Sequence, residues 1–199
     1  MKQKSKSVAK NPVELSSVVR DARVIATRRS IDAAFVQLLF RRSYKSLRVS
    51  DITKKADVGR ATFYAHFKSK DNLLRSQVER VIVPMLLPCP ESPSLLDCRS
   101  FFAHVREAPQ LFRAIMSGGE GSGASVVREA MENRLDAILR GAGTPAGKVP
   151  SLLVKRFVIS TLLTIVSHGL QPDASESGEQ MQRQFELLVG SGLSDRAAR

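Results

Sequence analysis

Arg48-Val-Ser-Asp-Ile-Thr-Lys-Lys-Ala-Asp-Val-Gly-Arg-Ala-Thr-Phe-Tyr-Ala-His-Phe67 is the stretch whose reading decides the fold of this chain. Ile52 and Ala56 stand at i, i+4, Phe63 and Phe67 repeat that spacing, and Val58 lies between the pairs. Five apolar side chains can therefore close on one another if two short helices meet at an angle. Asp57 and Gly59 bracket Val58, and both residue types tolerate awkward turn conformations at low cost. The pattern predicts a helix-turn-helix over residues 48–67.

With Phe63 and Phe67 turned inward, the second helix shows Arg60, Ala61, Thr62, Tyr64 and His66 on its other side. None of these is a core former. A helix of about eight residues is roughly 12 Å long, which suits a B-DNA major groove about 12 Å wide. Arg60 can bond a guanine edge bidentately, Thr62 a base or phosphate, and small Ala61 allows close approach or contact with a thymine methyl. Tyr64, His66 and Lys70 suit phosphates, Lys70 with help from the N–H groups that open the next helix. Arg48, Ser50 and Gly59 complete the expected DNA-binding set.

Residues 62–74, Thr-Phe-Tyr-Ala-His-Phe-Lys-Ser-Lys-Asp-Asn-Leu-Leu, resemble the T-[FL]-Y-x-H-F-x-[SN]-K-[ED]-x-L signature of TetR/AcrR-type transcriptional regulators. Ile31, Ala34, Phe35, Leu38, Leu39 and Tyr44 fit that family's first helix, and Asp51-Ile52 with Ala56 and Val58 fit its second. The resemblance covers about residues 27–80. This chain has Arg48 where the family usually has a capping Ser or Thr, Asp57 and Ala61 where glycine is common, and Ser43 in place of the glycine before the tyrosine. Ser46 and Ser50 are the alternative caps for the second helix.

Charge supports the same reading without any motif. The chain carries a formal net charge of +12; residues 1–80 hold 19 basic and 7 acidic side chains, and residues 81–199 hold 12 of each. The excess sits on the helix-turn-helix part, as expected of a polyanion-binding head joined to a neutral body. Residues 1–22 form a basic tail with Lys2, Lys4, Lys6 and Lys10 and no apolar signal-peptide region. Such a tail is expected to be mobile, and it either tracks phosphates or is inert.

The rest of the chain has helical periodicity and almost no strand-like alternation, so the fold class is all-α. A three-helix head over 23–74 is expected to precede a larger helical ligand-binding and dimerisation domain over 75–199. Helices are expected from Lys70 into 81–83, over 94–107, after Pro109, over 124–140, over 150–168 and from Ser177 to about 189, with Ser177 and Gln180 spaced as a capping box. Pro84, Pro88, Pro90 and Pro93 mark a connection. Gly118 to Gly123 is a surface loop, since no Lys-Ser or Lys-Thr follows it as a phosphate loop requires.

Cys89 and Cys98 lack His partners at metal spacing and are expected to be reduced, and no metal, cofactor or catalytic set is predicted. Tyr64 and His66 lack a carboxylate orienter, so an enzyme is the least favoured class. The longest strongly apolar run, 157–166, is about half of the roughly 20 residues a membrane span needs, and a cytoplasmic protein is expected. Phe101, Phe102, Phe112 and Met116 mark a region where a ligand pocket could form, although aromatics at helical spacing are more often core.

The resemblance further implies a homodimer through 150–168 and 177–189, a palindromic double-stranded DNA operator, and a repressor released by a small-molecule effector. The competing class is an adaptor whose second domain binds a partner protein. A closed apolar cavity in that domain would favour the sensor, and a filled core with an exposed apolar patch the adaptor.

Overall fold

Helix-favouring periodicity over almost the whole chain becomes nine α-helices and one minimal β pair among the described residues. The computed structural model describes residues 12–92, 94–117, 122–141 and 150–193, with side chains from residue 21 onward. The glycine run at 118–121 and the lysines at 2–10 lie outside the described residues.

The head consists of α1 (Pro12–Leu39), a 3-10 turn at Tyr44–Ser46, α2 (Val49–Ala56), α3 (Arg60–His66) and α4 (Lys70–Gln77). Helix α1 begins inside the stretch that the sequence assigns to a tail, with Pro12 at the position where a missing N–H costs nothing. Ile31, Phe35 and Leu39 of α1, Tyr44, Leu47, Ile52, Phe63 and Phe67 are all buried in one cluster. Ala56 and Val58 are partly buried against it, so the five residues of the predicted contact meet. The Phe63 and Phe67 ring centroids are 5.9 Å apart, within the range where tilted aromatic pairs attract.

Helix α4 passes without a break into a π-helical turn at Val78–Ile82 and a 3-10 turn at Val83–Met85, where Pro84 removes a backbone donor and ends the helical run. Next come strands β1 (Leu87–Pro88) and β2 (Leu96–Asp97), which pair antiparallel with Leu87 opposite Asp97. This pair corrects the expectation of a helix from residue 94: α5 covers only Arg99–Glu107. Residues 94–97 instead turn back, with Leu95 in the left-handed region at φ 65°.

The body continues with α6 (Pro109–Met116), α7 (Gly123–Gly141), α8 (Ser151–Gly169) and α9 (Gly178–Leu193). Ser177 and Gln180 form the predicted capping box, the Ser177 N–H donating to Gln180 Oε1 at 2.7 Å and the Gln180 N–H to Ser177 Oγ at 3.2 Å. The end of α8 and the connection after it are held from neighbouring helices: Arg106 donates to the Gly169 carbonyl and to that of Ala174 beyond it, and Arg113 donates to Leu170, the C-cap, at 2.7 Å. By length and composition α8 could cross a membrane, which the apolar-run argument missed. It packs here against α5, α7 and α9.

Head and body share one hydrophobic cluster. Helix α4 packs on α7, and α6 packs on α1 and on the Tyr44–Ser46 turn. Two ion pairs tie the same seam: Arg75 of α4 to Glu129 of α7 at 2.6 Å, and Arg80 of the π turn to Asp32 of α1 at 3.0 Å. Burial raises the Asp32 carboxyl above its ordinary value against the opposing pull of Arg80 and Arg28.

Candidate nucleic-acid interface

An arginine side chain has no acceptor with which to cap a helix, yet Arg48 is the N-cap of α2. The reciprocal half of the motif compensates: Asp51, three residues on, accepts the Arg48 N–H at 2.9 Å. Neither Ser46 nor Ser50 shifts the helix start. Ser46 Oγ donates to the Ser43 carbonyl, and the Ser50 carbonyl accepts from Thr53 Oγ. Arg48 and Ser50 are exposed beside α2.

The turn explains the departures from glycine. Asp57 ends α2 in the left-handed region at φ 54°, ψ 49°, which Asp enters more readily than most residues. Gly59 needs no such freedom, at φ −70°, and it is the N-cap of α3. A Cβ placed on Gly59 would meet only Thr62 Oγ, at 3.8 Å. Ser43 is likewise in ordinary extended backbone.

Helix α3 buries Phe63 and turns Arg60, Ala61, Thr62, Tyr64 and Ala65 out, with Tyr64 54% exposed and His66 half-buried. Tyr64 stacks edge-on against Phe63 at 5.5 Å, which places its ring on the exposed side of the helix. Among the described residues no acidic side chain pairs with Arg60, Lys54, Lys55 or Lys68. The face is basic and polar.

Lys70 departs from its expected use. Its ammonium donates to the Tyr44 carbonyl at 2.8 Å and the Leu47 carbonyl at 2.9 Å, and it lies 4.2 Å from the centre of the Tyr44 ring. Tyr44 in turn donates its hydroxyl to Asp71. Two of the three ammonium protons are thus committed to the end of the 3-10 turn, leaving one for a phosphate. Desolvation lowers the Lys70 pKa, opposed by Asp71. The Ser69 side chain caps α4 by accepting the Asn72 N–H at 3.0 Å, so that donor is also taken. Sequence reasoning missed Tyr44 and Asp71 as supports because the partners of Lys70 lie 26 and 23 residues away.

Residues 31–76 match the model of bacterial regulatory proteins of the tetR family. The chain is 39% identical over 61 residues to an uncharacterized HTH-type transcriptional regulator, YxbF, of Bacillus subtilis (strain 168), a match covering 30% of this chain and 16% of that protein. The helix-turn-helix head of this chain is therefore similar to that of tetR-family bacterial regulatory proteins.

Solved TetR-type structures share the whole fold. A TetR transcriptional regulator from Streptococcus agalactiae superposes with a TM-score of 0.58 at 20% identity, over 87% of this chain and 98% of its own. NalD, the secondary repressor of the MexAB-OprM multidrug efflux pump in Pseudomonas aeruginosa, gives 0.52 at 14% identity, over 85% and 98%. The all-α architecture expected from the sequence, a helix-turn-helix head followed by a helical body, is the one observed.

In this chain the region proposed for a ligand is packed. Phe101, Phe102 and Phe112 are buried and Met116 half-buried. The Phe101 ring lies 5.8 Å from Phe102 and 5.9 Å from Phe112, and Phe102 lies 6.2 Å from Phe185 of α9. The rings occupy one another's space. Apolar surface appears instead on α8 and α9, where Leu152, Leu153, Phe157, Leu187 and Leu188 are between 41% and 71% exposed. A shallow groove of about 380 Å³ lies there, lined by Ile165, His168, Leu187 and Leu188 among others. Cys98 is fully buried, and burial pushes its thiol pKa well up, away from redox reactivity.

Proposed function

We propose that this chain is a homodimeric, sequence-specific DNA-binding transcriptional regulator, a repressor that leaves its operator when a small molecule binds the body. The observation that carries the DNA reading is the outward face of α3. Arg60, Ala61, Thr62 and Tyr64 stand on a helix anchored by Phe63, and among the described residues no carboxylate pairs with the Arg60 guanidinium. Arg60 and Thr62 read base edges; Arg48, Ser50, Gly59, Tyr64, His66 and the remaining Lys70 proton hold phosphates.

Dimerisation through α8 and α9 is supported by their five exposed large apolar side chains, a patch that one subunit leaves wet. A two-fold axis there would set two α3 helices on a palindrome.

Release by an effector is supported by the seam between head and body. A ligand that displaces α6 or α7 would move α1 through α6 and α4 through the Arg75–Glu129 pair. A coupling of about 1–3 kcal/mol changes operator affinity roughly 5- to 150-fold. The adaptor reading is favoured by the aromatic packing of Phe101, Phe102, Phe112 and Phe185, which fills the region where an effector would sit.

The deciding experiment is selection of bound sites by the intact protein from a random duplex pool. A palindrome should emerge, and Arg60→Ala should lose discrimination at one symmetric base pair. Recovery of no enriched sequence would overturn the DNA reading. Screening small molecules for both a rise in Tm and loss of operator binding separates sensor from adaptor.

A further inference from the structure

We propose that Arg134 of α7 anchors the effector, and that the effector is a small organic carboxylate with an apolar body. The inference rests on the effector-release reading above and gives it a seat and a ligand class. Among the described residues four buried side-chain atoms lack a hydrogen-bond partner: Asp32 Oδ1, Gln77 Nε2, Arg134 Nε and Glu176 Oε2. Asp32 and Gln77 each accept from Arg80 through their other polar atom, and the second Glu176 oxygen bonds His168 at 3.0 Å. Arg134 has no such compensation. Its Nη2 makes one contact, 3.5 Å from the Leu86 carbonyl and at the outer limit of a hydrogen bond, and among the described residues no carboxylate pairs with it. Arg106, Arg113 and Arg128 of the same body donate at 3.0, 2.7 and 2.8 Å. A guanidinium keeps its charge and carries five donors, so one turned inward with this little to bond is costly until an anion joins it.

The neighbours of Arg134 define the rest of the ligand. On α7, Met131 and Ile138 flank it at i−3 and i+4, the first buried and the second half-buried, and Leu86 across from it is buried. These are apolar side chains, so a carboxylate on a hydrocarbon body gains both a charge contact and burial where a bare inorganic anion gains one. The same place reaches the head. Leu86 ends the run that begins as α4 and continues through the π-helical turn at Val78–Ile82 and the 3-10 turn at Val83–Met85, and α7 packs on both turns. Such π-helical turns occur frequently at functional sites. Pro84 and Leu87 on either side are exposed, so this stretch of chain stands between Arg134 and solvent. A carboxylate that takes the guanidinium from the Leu86 carbonyl frees the end of the run, and the shift passes along α4 to the helices it supports.

The test uses the intact protein and four probes. Octanoate and benzoate are carboxylates with an apolar body, octan-1-ol is such a body without the charge, and inorganic phosphate is the charge without the body. Tm and binding to the palindrome selected by the intact protein are read for the parent, Arg134→Met and Arg134→Lys. At about ten times its Kd, a carboxylate probe should raise the parent's Tm by about 3–6 °C. It should also weaken operator binding about 5- to 150-fold. Arg134→Met should weaken carboxylate binding about 10- to 100-fold, as loss of a charge-assisted bond requires, and Arg134→Lys should keep part of it. No Tm rise with either carboxylate up to about 10 mM overturns the proposal. So does an equal rise with octan-1-ol or phosphate, or an unchanged rise in Arg134→Met. A rise that needs Arg134 but leaves operator binding unmoved supports the anion site and sinks the release reading instead. If Arg134→Met melts early, Arg134→Gln, which keeps a donor for the Leu86 carbonyl and loses the charge, is read the same way.

Discussion

Lys70 illustrates how a residue type can be legible and its employment not. Its position in the Lys-Asp-Asn-Leu-Leu run marks it for an anion, yet its ammonium closes on the Tyr44 and Leu47 carbonyls, contacts visible only once the chain has folded. Lys70→Met should therefore lower stability by about 1–3 kcal/mol through two unpaired carbonyls, measured by urea unfolding, as well as weakening all DNA binding. A purely phosphate-binding lysine would leave the unfolding midpoint unmoved. Asp57, by contrast, is a position where local chemistry decides. Asp57→Gly should stabilise by up to about 1 kcal/mol and Asp57→Val should cost more than that, because only the left-handed backbone is at issue. Gly59→Ala should cost only about 0.5 kcal/mol, since its backbone is ordinary and the space around it open. Any larger loss of operator affinity in that variant would then come from the DNA side.

At the level of elements, α2 and α3 were legible because their apolar spacing is local and strict, and Phe63 and Phe67 met Ile52 as the pattern requires. The β1–β2 pair was not, since two residues per strand carry no periodicity and the Pro-rich context reads only as a break. The π-helical turn at Val78–Ile82 was equally invisible; its signature is a bonding pattern, not a residue type. The Asp32–Arg80 pair that straps α1 to this turn makes a pH test available. Because the folded Asp32 pKa is raised above 3.8, the folded protein holds that proton longer than the unfolded chain as pH rises, and stability falls across that window. Asp32→Asn removes the effect, so the variant should gain on its parent from about pH 3.8 upward and level off once the folded carboxyl is ionised, as read from Tm across pH. A difference that is flat through the window would contradict the raised pKa.

For the whole molecule, the charge-polarised plan and the paired helices near the C-terminus could be read from composition and hydropathy, whereas the filling of the Phe101 region could not. Aromatic residues at helical spacing line a cavity or fill one, and only the ring-to-ring distances discriminate. Leu187→Glu together with Leu188→Glu should convert a dimer to monomer in sedimentation at micromolar concentration while leaving Tm of the monomer fold nearly intact, since both side chains are exposed in one subunit. Gly123→Ala should act in the opposite way, leaving assembly alone but costing about 1–3 kcal/mol. Its Cβ would come within 2.9 Å of the Ile115 carbonyl and 3.1 Å of Leu74.

That contact of α7 with Leu74 bears on how such proteins can be recombined. One apolar cluster runs from Ile31 through Leu74 and Val78 into α7, so the boundary between reader and responder is a glued joint and not a hinge pin. A chimera that borrows another regulator's reading head at residue 74 would inherit mismatched side chains on both sides of this joint. One that carries α4, Asp32 and the facing turns of α6 and α7 together would keep its halves in mechanical register.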